Sequence, residues 1–254
     1  MGWFYCSVCA GPDIFVKTRL TTKPTSWYVP AMSNDTPDKP VTENARIRLL
    51  NAALRIIREK GYGATTVDEL CAGAGVTKGG FFHHFKSKEA LGVAAAQYWS
   101  EMTGGLFASA PYHAPADPLA RVMAYIDFRS ELIDGPVEGF TCLAGTMVQE
   151  VFGSSDAIRA ACAESIFGHA ATLEADITEA MRLNGAPPGV TAASLAQHTQ
   201  AVLQGGFILA KATGDPDAAK AMARDTAAHL KRYFRLLFAD TDWQHPTTQQ
   251  GDRQ

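Results

Sequence analysis

The stretch VTKGGFFHHFKSKEAL, residues 76–91, packs two adjacent glycines, three phenylalanines, two adjacent histidines and three lysines into sixteen residues. A core segment would not carry two histidines and three lysines. A solvated loop would not carry Phe81, Phe82 and Phe85. Spacing reconciles the two: Phe81 and Phe85 are one helical turn apart, so they can share a buried face and anchor a very short helix.

The flanks supply the frame. Upstream, Ile47, Leu50, Leu54 and Ile57 repeat at helical spacing, with Arg46, Arg48, Arg55 and Arg58 largely off that stripe. Gly61 and Gly63 end this helix. Thr66-Val67-Asp68-Glu69 then fits a capping box, in which the threonine hydroxyl and the glutamate carboxylate each satisfy a backbone amide of the other residue. The second helix runs to about Ala74, Gly75-Val76 turns the chain, and a third helix spans Thr77 to about Phe85. Ser87 caps a fourth, SKEALGVAAAQYWSEM. Two short helices joined by a tight, glycine-containing turn form a helix-turn-helix.

Charge agrees with this placement. The net charge is −3, but residues 39–88 carry nine Lys/Arg against four acids, while residues 89–254 carry eleven against nineteen. A basic block of +5 on an acidic body of −8 suggests a head that binds a polyanion. Apolar residues make up 46% and charged residues 19%, with no apolar run long enough to span a membrane. The first residues do not read as a secretory signal, so the cytoplasm is the expected compartment.

From Asp117 onward all segments read as helical. They include LARVMAYIDFRSELI, TCLAGTMVQEVF, one long helix from Ser155 to Leu183, and helices over 192–213 and 216–238. The expected fold is all-α: an N-terminal three-helix helix-turn-helix DNA-binding domain, then a larger C-terminal helical domain, to which the resemblance given below assigns ligand binding and dimerisation. The expected divisions are a loosely ordered tail (1–40), the DNA-binding domain (41–90), the effector and dimerisation domain (91–239) and a polar tail (240–254). Met32 is a candidate translation start. Five cysteines without dense spacing argue against a disulfide framework. Cys6-x-x-Cys9 lacks further ligands nearby, so no metal site and no cofactor are expected. Phosphate loops, nucleophile elbows and zinc ligand sets are missing, and no enzymatic activity is expected.

TTVDELCAGAGVTKGGFFHHFKSKEAL resembles the DNA-binding domain of the TetR family of transcriptional regulators. The resemblance runs from residue 42 to about 95. It includes the threonine cap, the A-G-V turn, the T-K-G start of the recognition helix, the aromatic-aromatic-H-H-F core and the S-K-E-A-L beginning of the fourth helix. It implies a repressor released from operator DNA by a small-molecule ligand. A transcriptional activator, or a regulator sensing electrophiles or oxidants through Cys142, is the alternative.

The implied DNA contacts fit the chemistry of the residues. Lys78 lies on the first turn of the recognition helix, where side chains reach base edges. Gly79 and Gly80 allow close backbone approach. His83 and His84 can donate to phosphates, as can Lys88 and the hydroxyl of Thr66. Phe82 stands where the family very often has tyrosine; that phosphate contact is lost, or replaced through His83.

The resemblance further implies a homodimer built by the last two helices, addressing a pseudo-palindromic operator with half-sites about 34–36 Å apart. Leu203, Phe207, Leu209, Tyr233, Phe234 and Leu237 are candidates for that interface. Candidate ligand contacts are Met123, Phe128, Cys142, Met147, Phe152 and Phe167, each with a plain core role as the alternative. Thr141 is the expected N-cap, making Cys142 the first residue of its helix, where the dipole favours thiolate.

Overall fold

The computed structural model describes residues 44–186 and 188–239, and the described residues form helices and connecting turns. The expected tails at 1–40 and 240–254, the Cys6-x-x-Cys9 pair and the Met32 start lie outside them.

Helix α1 (Ala45–Lys60) is capped by Asn44, whose side chain accepts from the Arg46 amide at 3.0 Å. Leu50, Leu54 and Ile57 are buried as their spacing requires. Helix α2 (Val67–Ala74) starts with the expected capping box: the Glu69 amide donates to the Thr66 hydroxyl at 3.2 Å, and the Thr66 amide donates to the Glu69 carboxylate at 2.9 Å. Gly75 closes the helix with φ of +60°, a left-handed conformation that favours glycine. Helix α3 (Lys78–His84) is capped by Thr77, and α4 (Lys88–Ala108) by Ser87.

Beyond a short 3-10 turn at Pro111–His113 come α5 (Pro118–Glu131), α6 (Val137–Phe140), α7 (Leu143–Val151), α8 (Asp156–Ala171), α9 (Glu174–Asn184), α10 (Ala192–Ala212) and α11 (Pro216–Ala239). The single helix expected from Ser155 to Leu183 is therefore two. The Thr172 hydroxyl donates back to the His169 carbonyl at 2.8 Å, and Leu173 is buried at the break. Such side-chain bonding to the backbone competes with helix continuation, while apolar periodicity runs on undisturbed.

One apolar core joins α1–α4 to α7 and α8, through Leu143, Met147, Val151, Ile158 and Cys162. The expected boundary at residue 90 falls between Phe85 and Leu91, which both belong to this core. Gly92 makes the packing possible, because a Cβ there would lie 2.9 Å from both Ile158 Cδ1 and Tyr62 Cε2. A second core is formed by α5, α9, α10 and α11 around Tyr125, Leu203 and Phe234. Leu203 and Phe234 thus face their own subunit's interior, as does Phe207 in a smaller cluster with Ile133 and Phe140. On the same two helices Ile208, Leu209, Tyr233 and Leu236 are exposed instead. Gly206 lets α10 and α11 approach, since a Cβ would stand 2.9 Å from Thr226 Cγ2. No helix among the described residues is long and apolar enough to cross a membrane.

Candidate nucleic-acid interface and effector cavity

Phe81 and Phe85 are buried, with ring centroids 5.9 Å apart, and they fix the orientation of α3. Its other face is open. Lys78, Gly79, Phe82 and His83 are exposed, and His84 is half-buried with its ring 5.0 Å from that of His83. The Lys78 ammonium lies 2.9 Å from the Asp68 carboxylate in a solvent-facing pair, which is weak enough to be exchanged for a base.

The two glycines divide their roles. A Cβ on Gly79 would meet only the Thr77 hydroxyl, at 3.9 Å, so that position is free for a close approach. On Gly80 it would lie 2.8 Å from Val76 Cγ1, so Gly80 serves the packing of the turn.

Two expected phosphate donors are already engaged. The Thr66 hydroxyl donates to Glu69 at 2.8 Å while accepting from its amide. The bond from Lys60, together with those from Thr66, holds the Glu69 carboxyl down to about 2. The half-buried Lys88 ammonium donates to the Gly63 carbonyl at 3.2 Å and sits 4.4 Å from the Tyr62 ring centre. Burial lowers its pKa. Lys88 therefore also holds the loop between α1 and α2.

Helix α7 grips that loop from the other side. The Glu150 carboxylate accepts from the amides of Tyr62 at 3.1 Å and Gly63 at 2.6 Å. Gly61, at φ +93°, leaves it room: a Cβ there would stand 2.4 Å from Glu150 Oε1. Arg58 supplies a second tie. Its guanidinium donates to the carbonyls of Leu54 at 2.8 Å and Gly139 at 3.2 Å, and stacks 5.0 Å from the Trp99 ring centre. Burial pushes its pKa down to about 10. Although it lies off the apolar stripe of α1, Arg58 is only 8% exposed.

At the opposite end of α7 is a cavity of about 40 Å³. Trp99, Phe107, Phe140 and Phe207 form its apolar wall, and Arg129, Thr141, Cys142, His169, Gln200 and Gln204 its polar one. Tyr125 links three of these groups: its hydroxyl is 2.9 Å from His169 Nε2, 3.3 Å from Arg129 and 3.1 Å from Gln200. Burial, reinforced by the Arg129 charge, pushes the His169 pKa down to about 3, so this imidazole is neutral.

Of the six expected ligand contacts, only Cys142 lines this cavity. Met147 is fully buried in the core under the helix-turn-helix. Met123 and Phe128 pack against the second core. Phe152 is 66% exposed, because α7 ends before it and turns it outward. Phe167 is 59% exposed and borders a second depression that shares Ile166, Gln200 and Gln204 with the cavity. Cys142 is itself the N-cap of α7, its sulfur accepting from the Gly145 amide at 3.4 Å, whereas Thr141 was the expected cap. The Thr141 hydroxyl is instead buried in the cavity wall without a hydrogen-bond partner. Arg58, Arg129, Glu150 and His169 were not among the expected functional residues. Arg58, Arg129 and His169 read as ordinary polar residues on amphipathic helices, and the partners of Glu150 lie far from it in sequence.

Two sequence-family models match the chain. Residues 49–95 match the bacterial regulatory proteins of the tetR family, and residues 118–226 match the tetracyclin repressor-like C-terminal domain. Together they cover more than half of the chain. The chain belongs to the TetR family of bacterial regulatory proteins. Transcriptional regulator AcuR of Cereibacter sphaeroides is 32% identical over 124 residues, covering 48% of this chain and 56% of that protein. HTH-type transcriptional repressor DhaR of a Mycobacterium species is 32% identical over 114 residues, 45% and 56% of the two chains. The matches thus span little more than half the length of these curated relatives. The crystal structure of a regulatory protein TetR from Rhodobacter sphaeroides superposes with a TM-score of 0.62 at 26% identity, covering 73% of this chain and 98% of that one. The reduced form of E. coli NemR does so with a TM-score of 0.60 at 23% identity, covering 74% and 96%, a likeness of fold alone.

Proposed function

We propose that this protein is a dimeric, cytoplasmic transcriptional repressor whose operator affinity falls when a small molecule enters the cavity beside Cys142. Residues 41–90 form the DNA-binding head and residues 91–239 the effector and dimerisation body. The observation that carries this reading is the continuity from cavity to recognition unit. Cys142 at one end of α7 lines the cavity, and Glu150 at the other end holds the loop against which the base of α4 is pinned. A ligand that moves α7 or α4 therefore moves α3, and a shift of a few ångströms breaks the match to half-sites of fixed spacing. Lys78 and Gly79 read bases, with His83, His84 and Lys88 on phosphates. Phe82, 51% exposed, lies against the DNA backbone without a hydroxyl to bond it.

Exposed Ile208, Leu209, Tyr233 and Leu236 on α10 and α11 are the surface a second copy would cover. The test is selection of bound fragments from genomic DNA, then anisotropy titration of the selected duplex at two salt concentrations, with Leu236→Glu as a dimer-breaking control. Salt-dependent binding to a palindromic site, lost in the control, is expected. Failure to enrich any sequence would refute the reading.

The thiol-sensing alternative is favoured by one observation. Cys142 alone among the described cysteines lines the cavity, while Cys71 and Cys162 are buried and their thiol pKa values are raised by that burial. Alkylation that weakens operator binding in wild type but not in Cys142→Ser would establish it.

A further inference from the structure

We infer that the effector is a short organic carboxylate whose charged end is bound by Arg129. The inference rests on the effector-responsive reading above and names the chemistry of its ligand. Arg129 is the cation in the cavity wall, and that wall contains no aspartate or glutamate.

Among the described residues, Arg129 has neutral contacts in place of an acid partner. One guanidinium nitrogen reaches the Tyr125 hydroxyl at 3.3 Å and His169 Nε2 at 3.4 Å. The guanidinium also lies 5.4, 5.9 and 5.7 Å from the ring centres of Phe107, Tyr125 and Phe207. The other half-buried arginine among the described residues of the body, Arg121, is instead paired with Asp176 at 2.7 Å. A guanidinium surrounded by aromatic rings, with donors remaining and no acid within reach, is matched to an anion arriving from outside. Its planar fork fits a carboxylate with two parallel bonds. A cationic ligand would meet repulsion there, and a neutral one would leave the charge uncompensated.

A second feature of the wall is independent of Arg129. The Thr141 hydroxyl is 1% exposed and has no hydrogen-bond partner, so it too awaits a polar atom. The neutral imidazole of His169 and the Gln200 amide can add bonds without adding charge. Size limits the rest of the ligand: 40 Å³ is room for two or three waters at about 15 Å³ each, so the apolar part between the four aromatic rings must be small.

The test is calorimetric titration of acetate, propionate and butyrate, and separately of acetamide, propionamide and butyramide, into the full-length protein without DNA. At least one carboxylate should bind, and its amide should bind about 30-fold more weakly or not at all. Arg129→Gln should lose the same factor for the carboxylate and leave any residual amide binding unchanged. Equal affinity for an acid and its amide, or no binding of any of the three acids, overturns the inference. The amide comparison uses wild-type protein throughout, so it stands even if the variant folds poorly. Operator binding is measured apart from this. A protein that binds the acid but no DNA refutes the repressor reading and leaves the carboxylate site standing, and the converse result separates them the other way.

Discussion

Glu150→Ala should loosen the loop between α1 and α2 by an amount the structure sets. The carboxylate accepts two backbone hydrogen bonds there, at 3.1 and 2.6 Å. Bonds to a charged acceptor are worth about 1.5–3 kcal/mol in protected sites. Glu150 is exposed, and water and salt reduce each to about 1 kcal/mol. Loss of both removes about 2 kcal/mol of local protection, which is about a 30-fold increase in the opening equilibrium. Hydrogen-exchange mass spectrometry of a peptide covering residues 61–65 reads this directly, and exchange there should accelerate by that factor. Glu150→Gln should fall between, because its side chain keeps one acceptor but turns an N–H2 toward the other amide. The same loosening should shrink the response of operator binding to an effector, since the grip of α7 on the loop is one route between them. Unchanged exchange at 61–65 in Glu150→Ala would show that α7 does not hold the loop in solution.

Three further outcomes are expected. Asp68→Asn frees the Lys78 ammonium from a pair 2.9 Å long and removes the negative charge beside it; operator affinity in anisotropy titrations should rise about 2–5-fold, and a fall would place Lys78 away from the bases. Phe82→Tyr adds a hydroxyl to an exposed ring on the recognition helix; one new bond to phosphate should strengthen operator and random DNA alike, by about 0.5–1.5 kcal/mol, and no change would mean that the ring faces away from the backbone. His169 stays neutral in the folded protein down to about 3, whereas the unfolded chain takes up this proton near 6.5. The unfolded state therefore binds more protons between those values, and stability falls as pH drops through that window. Urea unfolding at pH 7 and pH 5 should show His169 contributing up to about 2 kcal/mol to the difference. His169→Gln, which can still bond Tyr125, should remove that share, and an unchanged difference would show that the ring is protonated in the native state.

The helix-turn-helix was legible because everything that specifies it is local. Thr66 with Glu69, Thr77 with Gly80 and Ser87 with Ala90 are each three residues apart, and Phe81 and Phe85 are one turn apart. The cavity was not legible, because its wall is assembled from α4, α5, α8, α10 and the segment around Cys142 by tertiary packing. Arg129 follows the pattern of a surface residue on α5, and only the packing around it makes it half-buried. Phe207 was expected at a subunit interface for its apolar character, yet the rotation of α10 points it inward, toward Phe140. Phe152 departs in the opposite sense: its apolar ring reads as interior, but the chain turns just before it. Glu150 bonds residues 87 and 88 positions away, a distance over which periodicity carries no information.

The core that joins α1–α4 to α7 and α8 limits how this protein can be recombined. Regulators of new specificity are often sought by fusing the DNA-binding head of one protein to the sensing body of another. A cut after residue 90 in this chain would leave Leu91, Ala95, Trp99, Leu143, Met147 and Val151 facing a foreign head in place of Leu49, Leu70 and Phe81. It would also leave Glu150 without the glycines that accommodate it. A workable chimera would have to carry the inward faces of α4, α7 and α8 along with the head. The unit of exchange is therefore a surface drawn through the molecule, and no single crossover point in the chain reproduces it.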